Sequence, residues 1–418
     1  MAKDAAWTIA GQLFVMLGLL AVNKVVSNCF SVGEFGIYSI MRNSSSVLTF
    51  VMLGGLGITL PRYIALYTGK NERAKCYPFG AAAVAYFCAT TFAVCAVVLL
   101  LYRSMAVTLV GSKSISSLAV VLLYSLSVAV STFLYSVFRG TGDFKSYTLT
   151  QVAFSALTLV PLVFAAELGI DELYLFWALL SFALSLALSV YIMRKAGLVN
   201  FKNVKPRAFK KSFSELSKYS LPRLAGDFFL FAMTAFPVLY MGRFCSLETV
   251  SLFSVGIFFE KMGQPLFSFL GVILLPYVSK NYANNRLSQC DGTIRKILLV
   301  EMVLAVLLVS VLLVFMPLWI KLFFSESYAA ALGSARVLVL ALLPAVVYLL
   351  YRNPIDAVSV FPYNTVIMLV SFGLMVAGFC LAKTEMQYAW AFFGAVSFRG
   401  VASLCCWNLL KKKAEKNT

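Results

Sequence analysis

Residues 297–318 read ILLVEMVLAVLLVSVLLVFMPL. The run carries one charge, Glu301, and as an α-helix rising ~1.5 Å per residue it crosses the ~30 Å hydrocarbon core of a bilayer. Working outward, similar runs recur between charged clusters or Gly/Pro breaks. They cover 6–27, 35–60, 79–101, 115–138, 147–165 and 173–193, then 219–242, 250–278, 335–350, 364–381 and 388–410. The reading is an all-α polytopic membrane protein of about twelve transmembrane helices. The run from residue 6 is longer than a signal-peptide core and has no convincing cleavage site, so it reads as a retained first span.

Composition agrees. Of 418 residues, 61% are hydrophobic and 12% charged, whereas soluble domains carry about 25% charged residues. The net charge is +18, but the Lys and Arg stand in short clusters between apolar runs. They are topology signals, and nucleic acid is not an expected partner. Histidine is absent, and the nine cysteines lie mostly inside apolar runs without CxxC spacing. No metal centre, disulfide framework or bound cofactor is expected, beyond a coupling proton or sodium ion, and the cysteines read as small packing residues.

The stretch 194–218 is the longest polar one and holds eight Lys or Arg. It divides the chain into an N-terminal six-helix lobe, 1–193, and a C-terminal six-helix lobe, 219–410, followed by a basic tail, 411–418. Basic residues concentrate on alternate loops, in 62–75, 194–218, 280–296 and the tail, while the loop with Glu167, Asp171 and Glu172 is acidic. This asymmetry puts both termini in the cytoplasm. A membrane-impermeant thiol reagent added outside should label cysteines introduced in 167–172 and spare those in 194–218. The opposite pattern would invert the orientation. All five tryptophans fall near expected span ends, where interfacial rings are favoured.

The halves also resemble each other. Ala10-Gly11 aligns with Ala225-Gly226, Ser31 with Ser246, Tyr38-Ser39 with Phe253-Ser254, Leu60-Pro61 with Leu275-Pro276, and Tyr67 with Tyr282. A slightly shifted register pairs Arg139–Asp143 with Arg352–Asp356. The reading is a parallel repeat of two six-helix lobes.

Ionisable residues inside spans are costly and mark a wet path. The candidates are Lys24, Arg42, Arg223, Asp227, Glu260, Lys261, Glu301, Arg336 and Arg399, six basic against three acidic. Lys24 lies near the outer end of the first span, within snorkelling reach. Arg42 is deeper, and Asn43, Ser44, Ser45 and Ser46 extend a polar surface around it. Lys261 lies about eleven residues into the eighth span, too deep to snorkel comfortably. Glu260 precedes it but points about 100° away. Arg223 and Asp227, four apart, read equally as an internal ion pair or a ligand site. Arg399 is mid-span beside Gly400, while Glu301 and Arg336 read as interfacial. Asp227 and Glu260, the deepest acids, are the ion-coupling candidates, since a carboxyl held out of water can take up and release a proton. Gly54-Gly55-Leu56-Gly57 before Pro61, and Gly271 before Pro276, read as small-residue packing or as bending points.

Four motifs carry a resemblance across nearly the whole chain: Ser31-Val-Gly-Glu-Phe-Gly-Ile-Tyr-Ser39, Gly55-Leu-Gly-Ile-Thr-Leu-Pro-Arg-Tyr-Ile-Ala65, Phe138-Arg-Gly-Thr-Gly-Asp143 and Leu247-Glu-Thr-Val-Ser-Leu-Phe-Ser-Val255. In their order the sequence resembles the oligosaccharide flippases, the O-antigen and polysaccharide transporter branch of a superfamily that also holds multidrug antiporters and lipid II flippases. Ser251 departs from the glycine usual in that pattern. The resemblance implies two six-helix bundles with a cationic cavity. It also implies transfer of an undecaprenyl-diphosphate-linked oligosaccharide from the cytoplasmic to the periplasmic leaflet, with polysaccharide polymerase machinery as a further partner. The role of cavity cation carries over to Lys24, Arg42 and Lys261, and less directly to Arg223 and Arg399; no catalytic residue is implied. Two rivals remain: a multidrug or cation antiporter, which would need a carboxylate-rich site, and a membrane glycan polymerase, which would need an outer domain or an acid–base constellation.

Overall fold

The computed structural model describes residues 2–69, 73–195, 204–283, 287–359 and 361–416, and every regular element among them is helical. The order opens with α1 (Ala2–Cys29), α2 (Val32–Leu53), α3 (Leu56–Gly69), α4 (Arg73–Leu100), α5 (Tyr102–Val110), α6 (Ile115–Thr141), α7 (Phe144–Leu159) and α8 (Ile170–Lys195). It continues with α9 (Pro206–Phe244), α10 (Leu247–Ala283), α11 (Leu287–Val314), α12 (Met316–Phe323), α13 (Leu332–Leu340), α14 (Leu342–Val358), α15 (Tyr363–Leu381) and α16 (Glu385–Lys416). The chain forms two compact units, Met1–Phe228 with Leu239–Leu247, and Phe229–Val238 with Glu248–Thr418; they are called the first and second lobe below. The polar stretch 194–218 runs into α9 at Pro206, and residues 196–203 of it lie outside the described residues.

Nine helical runs among the described residues are long and apolar enough to cross a membrane, and the pair α2–α3 makes a tenth if its 41° bend lies within one span. The helices α9 and α10, 39 and 37 residues long, are membrane-length too. The protein is an all-α, multi-pass membrane protein. Some limits differ from the sequence reading. The helix expected over 297–318 begins at Leu287, which moves Glu301 from a span end to mid-span, where it is 1% exposed. Helical geometry persists through the polar residues 287–296 because they pack there: Leu287, Cys290 and Ile294 are buried against Tyr351, Ile355 and Trp407.

The motifs explain the corners. Ser31 and Glu34 form a capping box: the Ser31 hydroxyl accepts from the Glu34 N–H at 3.3 Å, and the Glu34 carboxylate accepts from the Ser31 N–H at 2.8 Å. Gly54 (φ 54) and Gly55 (φ 86) end α2 in the left-handed region and produce the bend. In Arg139–Asp143, Gly142 (φ 73) closes α6, and Asp143 caps α7 by accepting from the Ser146 N–H at 3.1 Å. α10 runs unbroken through Gly271 and Pro276, so the bend at the second helix of the first lobe has no counterpart in the second.

Within the first lobe α6 packs against α2, α3, α5 and α8; within the second, α16 packs against α11, α13, α14 and α15. The repeat is visible in a shared contact. The Ser117 hydroxyl at the start of α6 donates to Asp171 in the first turn of α8. In the second lobe the Ser334 hydroxyl on α13 donates to Glu385 in the first turn of α16. In both lobes an acid at a helix N-terminus, where the macrodipole favours it, receives a serine from the neighbouring helix. Many other buried hydroxyls bond within their own helix, as Ser125 donating to the Val121 carbonyl (2.6 Å) and Ser136 to the Thr132 carbonyl (2.9 Å).

Two of the tryptophans are buried within the protein. Trp177 is 3% exposed and donates to the Thr158 carbonyl at 2.8 Å. Trp407 is fully buried and donates to Asp291 at 2.9 Å. Each indole N–H has an acceptor within the protein. Asp291 also accepts from Lys411 (2.7 Å) and Arg295 (3.0 Å), tying the start of α11 to the last turns of α16.

Candidate functional site

Each lobe holds a cavity among its helices. In the first lobe it has a volume of about 400 Å³ and lies between α1, α2, α6, α7 and α8, within the ~300–1,000 Å³ typical of small-ligand sites. One wall is a stripe of α6, Tyr124, Val128, Ser131 and Tyr135, at helical spacings that keep all four on one face. Val15, Leu19 and Val22 of α1 form a second stripe, and Gln151, Ser155 and Thr158 line it from α7. Tyr174, Trp177 and Ser181 come from α8, and Tyr38 and Arg42 from α2. The rings lock one another: Tyr124 stands edge-on to Tyr174 with centroids 5.1 Å apart, Tyr174 edge-on to Trp177 at 5.2 Å, and the Tyr174 hydroxyl donates to the Tyr38 carbonyl at 3.0 Å.

Arg42 is the one charged residue lining this cavity among the described residues. It donates to the Asn23 side-chain oxygen at 3.4 Å, a long contact that leaves most of its five donors for a ligand. Asn23 is itself 2% exposed and is held by donating to the Leu19 carbonyl at 2.7 Å. The polar run after Arg42 does not form a continuous wet face. Ser44 and Ser45 are buried and only Ser46 is exposed, because consecutive residues sweep round the helix at about 100° each. Lys24 is partly buried on α1 and is not among the lining residues. It sits two residues past Val22, on the far side of the helix from the lining stripe.

The cavity of the second lobe is small, about 10 Å³, at the lower bound of room for one water. It gathers Glu260, Lys261 and Gln264 of α10, Arg399 of α16, and Thr234 of α9. Glu260 is 2% exposed and accepts from the Gln264 side-chain amide at 2.6 Å. Arg399 is 5% exposed, lies over the Tyr348 ring at 4.6 Å and interacts electrostatically with Glu260. Glu260 and Lys261, neighbours in sequence, thus face one cavity together with Arg399. The side chains of Arg223 and Asp227 lie outside the described residues. Glu301 is buried apart from this group, with both carboxylate oxygens lacking a hydrogen-bond partner among the described residues, while Arg336 is exposed.

Sequence reasoning sought charges and so found Arg42, Glu260, Lys261 and Arg399 but missed Tyr124, Tyr135, Gln151 and Trp177. The signal was present as the stripe on α6, where Tyr124, Ser131 and Tyr135 recur seven and four residues apart on one face of an apolar run.

The profile of the family described as polysaccharide biosynthesis protein matches residues 1–282. A search of curated protein sequences gives no match. Among solved structures, the chain is similar to a multidrug resistance MATE family transporter of the MOP superfamily in its inward-facing conformation. The identity is 14%, with 96% of this chain and 95% of that one covered, at a TM-score of 0.77. It is also similar to a MOP superfamily transporter from Pyrococcus furiosus (16% identity, 99% and 95% covered, TM-score 0.65). A third similar structure is a variant of the Vibrio cholerae MATE transporter VcmN (16% identity, 100% and 99% covered, TM-score 0.62). With the profile covering well over half its length and this fold throughout, the chain belongs to the polysaccharide biosynthesis protein family and has the fold of the MOP superfamily transporters.

Proposed function

We propose that the protein is an exporter of the flippase type. It moves an undecaprenyl-diphosphate-linked oligosaccharide from the cytoplasmic to the periplasmic leaflet of a bacterial inner membrane, with both termini in the cytoplasm and without chemistry on the substrate. The observation that carries this reading is the first-lobe cavity, where, among the described residues, an arginine with unused donors stands among hydroxyl and aromatic side chains and no carboxylate lines the wall. A guanidinium in a partly desolvated setting is a strong, bidentate partner for phosphate oxygens. Family membership points the same way. Lys261 and Arg399 add positive charge in the second lobe; there Glu260 serves as counter-ion to them, which weakens its claim as a coupling site and leaves Asp227 as the remaining candidate.

The test is a deletion strain examined for lipid-linked repeat units. They should accumulate on the cytoplasmic face, and surface polysaccharide should fall to background; normal delivery would refute the reading. The fold is also that of multidrug transporters, and that alternative makes its own prediction. Proteoliposomes should then take up cationic dyes, and should do so better after Arg42→Ala removes the repelling charge.

A further inference from the structure

Building on the flippase reading, we infer that the first-lobe cavity is a saccharide subsite: sugar rings of the lipid-linked glycan lie against Tyr124 and Tyr135 while Arg42 holds the adjoining phosphate. A sugar ring presents apolar C–H faces and a rim of hydroxyls that both donate and accept. A complementary site needs aromatic surface together with mixed donors and acceptors rather than a single sign of charge.

The cavity has both. Tyr124 and Tyr135, each partly buried, sit three helical turns apart on the same stripe of α6, so their separation along the helix is ~16 Å. Neither ring is free to fold into the space. Tyr124 is braced edge-on by Tyr174 (5.1 Å), and Tyr135 by Tyr147 (6.0 Å) and Phe154 (5.7 Å). They are rigid platforms that need little further ordering on binding.

The polar groups between them are of mixed kind. The Tyr124 hydroxyl has no hydrogen-bond partner among the described residues. Gln151 accepts from Gln12 at 3.5 Å, which leaves its amide N–H groups to donate. Thr132 donates to the Val128 carbonyl at 2.8 Å, which fixes its proton and leaves its oxygen as an acceptor, while Ser131 donates to the same carbonyl at 2.8 Å and is also hydrogen-bonded to Tyr135. A planar organic cation would also favour aromatic faces. Here it would meet Arg42 and, among the described residues, no compensating carboxylate, so a neutral polyhydroxyl ligand is the better match.

The experiment uses the full-length protein in nanodiscs and two probes. One is the undecaprenyl-diphosphate-linked glycan extracted from the deletion strain; the other is undecaprenyl diphosphate without sugar. Wild type should bind the glycan-bearing lipid about tenfold tighter than the bare one, since ring stacking and two or three hydroxyl contacts supply that difference. Tyr124→Ala combined with Tyr135→Ala should erase the difference while leaving bare-lipid binding within about twofold. Tyr124→Phe keeps the ring and its bracing, and should weaken glycan-lipid binding about threefold through the lost hydroxyl alone. Equal losses for both probes, or no loss for either, overturn the subsite. Wild-type protein that binds neither probe sinks the flippase reading itself, an outcome visible before any variant is made.

Discussion

Arg399→Ala should give a protein that inserts poorly and, once solubilised, melts about 6–12 °C below wild type. That is the shift expected when breaking a buried charge pair costs about 3 kcal/mol in a unit of this size. Arg399 and Glu260 are 5% and 2% exposed and interact electrostatically, and the guanidinium also covers the Tyr348 ring at 4.6 Å. Removing the arginine strips Glu260 of a buried positive neighbour. The stacking on Tyr348 is lost in the same step, and the space left is larger than a side chain can refill. The double variant Arg399→Ala with Glu260→Gln should recover most of the lost stability, because the glutamine brings no charge and still has Gln264 as a hydrogen-bond neighbour. Abundance in membranes and surface polysaccharide should be measured together. An Arg399→Ala protein of normal abundance and melting temperature that fails to export would mean that Arg399 contacts substrate. One that exports normally would remove the buried pair from both roles.

Gly55→Ala is the second large effect. The residue has φ 86, and a Cβ placed there would lie 2.7 Å from the Ser220 carbonyl oxygen and 3.3 Å from its carbon. The obstacle is backbone of α9, which has no rotamer to change. Strain from the left-handed conformation alone is worth ~1–3 kcal/mol, and the clash adds to it by pushing α3 and α9 apart. The contacts around it are close: the Ser220 hydroxyl donates to Thr59 at 2.8 Å, and Arg62 lies 4.3 Å over the Tyr219 ring. Accumulation should fall several-fold, whereas Gly57→Ala, two residues on with open space at its Cβ position, should accumulate normally. If the two variants accumulate alike, the α2–α3 corner is not held by this approach.

These cases show what the sequence made legible. Span number, helix type and the two-lobed repeat follow from apolar runs and their spacing. The motifs Ser31–Ser39, Gly55–Ala65 and Phe138–Asp143 were legible as recurring patterns; in the structure they are caps and bends, which recur because a corner needs a particular backbone whatever passes through the protein. The cavity of the first lobe was not legible, because its aromatic walls come from α2, α6 and α8 and only tertiary packing brings Tyr38, Tyr124 and Trp177 together. A tyrosine in an apolar run gives no sign of whether it faces lipid or a wet space. A charge does, since the cost of exposing it to lipid is high, and for that reason Arg42, Lys261 and Arg399 could be singled out from their positions alone.

The knot at Asp291 bears on how the second lobe is made. Two of its three partners, Trp407 and Lys411, lie more than a hundred residues downstream, in the last turns of α16. On the ribosome, Asp291 is made with only Arg295 at hand and waits for nearly the whole remainder of the lobe to be translated. Until then Asp291 has one of its three partners. This tie between α11 and α16 can therefore form only near the end of translation, and a chain short of its final turns keeps Asp291 with Arg295 alone.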